Sequence, residues 1–210
     1  MKKLILTLAG AVMTFCLAVA QDYQTNIFGV YAGLNVAKIS AYGISTDSKL
    51  GFHVGGSYER LLMNNRPLYL ETGLQFSQKG FKISERSGST SYLEIPVMVN
   101  YKFHFGDALT LYPSAGIYYA FGIGGKEKDS VTNGEYDLFG KTGGFKRSDL
   151  GIRFGVTFGI RQFNVGVGYE FGLMNISKIG DGWFDDSYES DSSFPKAKNG
   201  NLFVSVGYKF

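Results

Sequence analysis

The sequence predicts an all-β protein, an eight-stranded antiparallel transmembrane β-barrel with up-and-down meander connections. Three observations predict it. The chain closes on an unbroken alternation in which Leu202, Val204, Val206, Tyr208 and Phe210 share one face of a strand and Phe203, Ser205, Gly207 and Lys209 share the other. It opens with Met1-Lys2-Lys3, an apolar run from Leu4 to Val19 and the small-residue pattern Ala18-Val19-Ala20 directly before Gln21, the layout of a cleaved secretory signal. Between these ends the apolar residues come in strand-length alternating pieces, and none reaches the run of about 18 that a spanning helix needs.

Those observations divide the chain into a signal peptide, residues 1–20, and a barrel domain, residues 21–210. Cys16 is the only cysteine, and Thr14 and Phe15 precede it where a lipoprotein signal has small residues. With Cys16 removed, the mature chain holds no disulfide and no thiolate metal site. The contents of 29 Gly, 14 Tyr and 18 Phe suit many close-packed strands with aromatic belts. The net charge is +3, and subtracting Lys2 and Lys3 leaves +1, which gives no electrostatic reason to expect nucleic acid as a partner.

Period-two alternation places the strands in order. The first, about Ile27 to Ile39, sets Val30, Ala32, Leu34 and Val36 against Tyr31, Gly33, Asn35 and Ala37. The second, Leu50 to Arg60, sets Phe52, Val54 and Tyr58 against His53, Gly55, Ser57 and Glu59. The third, Pro67 to Lys79, opposes Leu68, Leu70, Leu74 and Phe76 to Glu71, Gly73, Gln75 and Ser77. In the fourth, Ser91 to Phe103, Pro96 interrupts the polar face and predicts a bulge or break, because proline has no ladder donor. The fifth, Leu109 to Ile123, carries a second such irregularity at Pro113. Asp149 to Ile160 and Phe163 to Leu173 form the sixth and seventh, each alternating apolar residues with a glycine-rich face, and Leu202 to Phe210 is the eighth.

The connections alternate in length. Those near Asn64 to Arg66, His104 to Asp107 and Arg161 to Gln162 are short, and those near Ser40 to Lys49, Gly80 to Thr90, Gly124 to Arg147 and Asn175 to Asn199 are long. Short periplasmic turns and long extracellular loops have this asymmetry, which predicts a bacterial outer-membrane location with both mature termini periplasmic. Phe28, Tyr58, Tyr101, Phe103, Phe158, Phe163, Tyr208 and Phe210 then gather near the short-turn end as an aromatic girdle.

A barrel of eight strands is filled by its own side chains, so its inward charges are expected to pair. If Arg161-Gln162 form a two-residue turn, Ile160 pairs with Phe163, and counting outward places Arg153 opposite Glu170 on the inward face. That count predicts a structural ion pair. Glu59, Glu71, Lys102 and Lys209 fall toward the short-turn end of the interior, and Lys79 and Glu94 toward the other. Glu59 and Glu71 can face each other across the second and third strands, but the neighbouring lysines offer neutralisation and argue against an acid/base pair. The only two histidines, His53 in the upper barrel and His104 in a turn, are too far apart to share a zinc ion or a nucleophile and base. No catalytic, cofactor or metal residues are therefore predicted.

Function is left to the loops. Gly124 to Arg147 carries Lys126-Glu127-Lys128-Asp129, and Asn175 to Asn199 carries an acidic stretch around Trp183-Phe184 that lacks regular calcium-ligand spacing. Trp183 and Phe184 are the candidate contact point, since aromatic residues often anchor recognition surfaces.

The chain resembles the small outer-membrane β-barrel family that includes PorT-like proteins. The residues that carry the resemblance are Gly29-Val30-Tyr31-Ala32-Gly33-Leu34-Asn35, Gly51-Phe52-His53-Val54-Gly55, Glu71, Tyr92-Leu93-Glu94-Ile95-Pro96 and the terminal Phe210, in order over most of the mature chain. The resemblance implies the barrel fold and a non-enzymatic outer-membrane protein that displays loops for binding or supports an envelope assembly. It also implies a PorT-like accessory role in protein secretion as an alternative, with envelope or secretion proteins and outer-membrane lipid as partners. A narrow channel is a further alternative, although a filled interior gives little conductance. Tyr208 and Phe210 are expected to act as an assembly signal read by the barrel-insertion machinery.

Overall fold

The computed structural model describes residues 24–41, 46–83, 85–106, 108–131, 134–140, 143–178 and 197–210. The signal-peptide reading and the Trp183-Phe184 contact point lie outside these residues. The strands are β1 (Asn26–Ala41), β2 (Asp47–Met63), β3 (Arg66–Ile83), β4 (Arg86–Tyr101), β5 (Phe103–Phe105), β6 (Leu109–Asp129), β7 (Gly134–Asp137), β8 (Ser148–Ile160), β9 (Phe163–Gly172) and β10 (Ala197–Lys209).

Neighbours in sequence are neighbours in the sheet, and the sheet closes on itself. β10 pairs antiparallel with β1 from Gly29↔Lys209 to Ala41↔Ala197, so the last stave seals against the first. β5 continues β4 in one register against β6, with Asn100↔Ser114 followed by Phe103↔Leu111, so the barrel has eight staves. Closure leaves these staves no free edge.

Alternation decides what faces where. Outward side chains such as Leu34, Phe52, Leu74, Ile95, Ile117 and Phe154 are exposed, while the largest fully buried side chains include Lys79, His53, Gln75, Glu59, Glu94 and Glu170. The molecule is therefore apolar outside and polar inside, the inverse of a water-soluble domain. At the short-turn rim the rings touch in pairs, Phe28 with Tyr58, Tyr101 with Phe103, and Tyr208 with both Phe163 and Phe210, at centroid separations of 4.8 to 5.4 Å.

The short turns are tight. Ile160 pairs with Phe163 across Arg161-Gln162, where Arg161 takes a left-handed φ of 54°, the twist a two-residue hairpin demands. His104 does not sit in a turn as the sequence suggested. It lies in β5, paired with Thr110 of β6, and the reversal passes through Gly106, whose φ is +67°.

The opposite end corrects the sequence reading more substantially. A tilted strand of about 9–11 residues crosses a membrane, and β9 has 10 residues whereas β6 has 21. The extra length lies beyond the apolar belt. Gly80 to Thr90, expected as a loop, is a continuation of the β3–β4 ladder to Ile83↔Arg86. Lys126-Glu127-Lys128-Asp129, also expected in a loop, lies on β6 between β4 and the short β7. These segments have no apolar alternation to reveal them, because backbone hydrogen bonds hold them without a lipid face.

Pro96 marks the local break that the sequence predicts as one of two alternatives. β3–β4 pairing runs Thr72↔Val97 and resumes at Gln75↔Glu94 in unchanged register, with Thr72 Oγ1 donating to the Pro96 carbonyl at 3.0 Å. The ladder is locally open there but not bulged. The register shift in β4 falls instead at Ser91/Tyr92 against β6. Pro113 likewise stays in register opposite Val156.

Candidate functional site in the barrel interior and mouth

Three tiers of side chains fill the barrel from the short-turn end upward, with a histidine cluster beside the middle one. The lowest joins Glu59, on β2, to Lys102 and Lys209 through both carboxylate oxygens. Glu71 is the register partner of Glu59 on β3 and accepts the Asn100 Nδ2 amide at 2.6 Å. Tyr69 and Tyr112 lie beneath the two ammonium groups, Lys102 Nζ being 4.1 Å from the Tyr69 ring and Lys209 Nζ 4.1 Å from the Tyr112 ring. Glu59 takes both ammoniums as ion-pair partners, and the tyrosines add cation–π attraction in a site screened from water.

The tier above gathers Lys79, Glu94, Arg153 and Glu170. Arg153 Nη1 lies 3.2 Å from Glu170 Oε1, and the two residues are opposite each other across β8 and β9. Glu170 is shared, because Lys79 Nζ is 2.8 Å from its other oxygen and 2.7 Å from Glu94. Gln75 joins the ends, donating to Glu94 at 2.8 Å while accepting from Arg153 at 3.2 Å. Lys79 and Glu94 thus form one network with Arg153 and Glu170, above the lower tier. Every charge has an opposite partner, the condition under which buried ions persist.

Beside this network stands His53. Its Nδ1 is 2.9 Å from Asn35 Oδ1 and its Nε2 is 2.8 Å from Ser205 Oγ. The ring sits between Tyr31 and Phe203, at centroid separations of 6.1 and 6.0 Å. A Cβ at Gly33 would fall 2.5 Å from His53 Cε1, so only glycine leaves room for the imidazole. A cavity of about 90 Å³ with a mixed polar and apolar lining adjoins Ser205, bounded among others by Tyr31, Ser57, Glu71, Arg153 and Phe203. Sequence reasoning treated His53 as a solitary histidine, because Ser205 lies 152 positions away and no hairpin count connects them.

At the mouth, Asp149 accepts Tyr118 Oη at 3.2 Å and Asn199 Nδ2 at 2.9 Å. Phe139, from the segment after β7, packs above them against Tyr92, Tyr118 and Ala120. Arg147 lies 5.4 Å from the Phe139 ring and donates to the Gly122 carbonyl at 2.6 Å. Beyond the belt, Lys126 and Lys128 hold Glu135 at 3.2 and 2.9 Å, which keeps its carboxyl below the usual carboxylate range and raises the Lys128 ammonium. Among the described residues no group of three or more His, Cys, Asp or Glu is arranged to hold a metal ion.

An apolar belt closed around a paired, charged interior defines the class: an integral β-barrel membrane protein. Residues 20–178 match the family model described as the outer membrane protein beta-barrel domain, and the chain belongs to that family, which places it in the bacterial outer membrane.

Solved structures similar to it include the outer membrane enzyme PagL, at 15% identity and a TM-score of 0.50 over 86% of this chain and 98% of PagL. Ail, the attachment invasion locus protein of Yersinia pestis, matches at 14% identity and a TM-score of 0.48 over 89% of this chain and 100% of Ail. Neisserial surface protein A matches at 15% identity and a TM-score of 0.48 over 87% and 97% of the two chains. At such identities the PagL match shows the shared fold alone. A search of the curated proteins finds no match.

Proposed function

We propose that the protein is a non-enzymatic outer-membrane barrel that carries a polar, strand-built platform to the cell exterior for binding or for an envelope assembly. One observation carries the reading: the staves outgrow the apolar belt at one end only. There β3, β4, β6 and β7 form a continuous sheet with Lys126, Lys128, Glu135 and Tyr136 on its surface. Short turns and both described chain ends occupy the other rim, where Gln24 Nε2 donates to the Phe210 carbonyl at 3.4 Å. In outer-membrane barrels such turns face the periplasm. The mature termini are accordingly periplasmic, and outer-membrane lipid covers the belt.

Single cysteines test this orientation. Tyr136 is 58% exposed, and Tyr136→Cys is expected to react with a membrane-impermeant maleimide on intact cells. Asn64→Cys, on a short turn, is expected to react only after the outer membrane is permeabilised. The opposite pattern would refute outward display. An accessory role in secretion follows from the PorT-like resemblance alone, and an unchanged secretome on deletion would count against it.

Tyr208 and Phe210 are read as an assembly signal recognised by the barrel-insertion machinery. Phe210 is 65% exposed, touches Tyr208 at 5.0 Å and donates its backbone N–H to Phe28 at 2.8 Å, so the ring itself contributes little to the folded barrel. Deleting Phe210 is expected to lower outer-membrane abundance several-fold while leaving refolding into detergent micelles intact. Normal abundance in cells would refute the signal role.

A further inference from the structure

We infer that Ser205 is a base-activated nucleophile, a modification site on the internal cavity that accepts one small acyl or sulfonyl group. The inference goes beyond the display role and leaves it untouched, because the cavity lies inside the barrel and the displayed platform lies beyond the apolar belt.

The hydrogen-bond network fixes the direction of every proton around the imidazole. Glu170 can only accept, so Asn201 donates Nδ2 to it at 3.0 Å, and the same Nδ2 donates to Asn35 Oδ1 at 3.2 Å. Asn35 Nδ2 is turned the other way, toward Phe52 O, Ser77 Oγ and Gln78 O at 3.2, 3.1 and 2.9 Å. Asn35 Oδ1 is therefore an acceptor on two counts, and the atom of His53 facing it must be Nδ1–H. In the neutral ring Nε2 then carries the lone pair, and Ser205 donates its hydroxyl to it at 2.8 Å. A serine hydroxyl on an imidazole Nε2, with Nδ1 held by an oxygen, is the nucleophile, base and orienting group of serine acyl transfer.

His53 is 1% exposed and Asn35 fully buried, whereas Ser205 is half-buried and lines the cavity. Arg153 lines the same cavity and offers positive charge to an oxyanion formed there. At about 90 Å³ the cavity admits only a small electrophile. With an activated acyl compound, the Ser205 Oγ–C bond forms as the bond from carbon to the leaving group breaks. The serine proton passes to His53 Nε2 and departs with the leaving group.

Methanesulfonyl fluoride is the probe, applied to the folded wild-type barrel in detergent. The Ser205 Oγ–S bond forms, the S–F bond breaks, and fluoride departs with the proton. Ser57 and Ser114 line the same cavity but have no imidazole partner, so they are internal controls. Peptide mass spectrometry is expected to find one methanesulfonyl group, on Ser205, at a rate about 100-fold above either control, the usual scale of general-base assistance. Phenylmethylsulfonyl fluoride, too large for the cavity, is expected not to label it. Absence of Ser205 labelling, or equal labelling of the three serines, would overturn the proposal. So would nitrogen NMR of the folded protein showing the His53 proton on Nε2, a measurement that needs no variant. Neither failure would bear on the maleimide test of outward display.

Discussion

Glu170→Ala is expected to destabilise the folded barrel by about 3–5 kcal/mol, the scale on which removal of one member of a buried ion network is felt. Glu170 serves three donors at once: Arg153 at 3.2 Å, Lys79 at 2.8 Å and Asn201 at 3.0 Å. Its loss takes away the ion-pair partner of Arg153 and, among the described residues, leaves Lys79 in ion-pair contact with Glu94 alone. The cost arises from those orphaned charges more than from the missing contact. Glu170→Gln tests that distinction, since the amide keeps the volume and one acceptor but not the charge, and its cost should approach that of alanine. If cavity volume were decisive, glutamine would be nearly neutral. Urea unfolding in detergent, followed by the shift in heat-dependent gel mobility, measures both. Wild-type midpoints for the two variants would sink the account.

The same carboxylate shows what a sequence can and cannot carry. Arg153 and Glu170 can be set opposite each other from the sequence because a two-residue turn at Arg161-Gln162 fixes the hairpin count, and every further pair follows from the first. The Lys79–Glu170 contact depends on how the sheet is staggered when it closes, a property of all the staves together. His53 with Ser205 and Asn35 with Asn201 are of the same kind, crossing the seam between β1 and β10 or lying next to it. The apolar belt was legible because lipid imposes alternation residue by residue. The platform above it was not, since Lys82, Ser87, Ser89 and Lys126 are held by main-chain pairing and their side chains carry no period.

Phe139→Ala is the second substitution with a large expected effect, and its effect should be local. The ring meets Tyr92 edge-on at 5.8 Å and lies under Arg147, and a Cβ on Gly122 would come within 2.6 Å of it, so the mouth is shaped to receive it. Truncating a buried aromatic costs about 3–5 kcal/mol. The segment that carries Phe139 is closed on itself by Phe145 N–H to Leu138 O at 3.0 Å and is held by a few other main-chain bonds, Leu138 N–H to Gly125 O of β6 at 3.0 Å, Lys146 N–H to Ile176 O at 2.7 Å and Lys178 N–H to Gly144 O at 2.8 Å. Opening it breaks these bonds and none of the barrel ladders, so the lost packing should appear as local opening. Amide exchange at Leu138 and Phe145 is expected to accelerate about 100-fold or more, the equivalent of some 3 kcal/mol, while β8 and β9 keep their protection. Steady conductance in a planar bilayer should stay near zero, because both ion tiers still fill the barrel below the mouth. A large stable conductance in Phe139→Ala would make this residue the gate of a channel and would displace the reading of the interior as a filled support for the exterior platform.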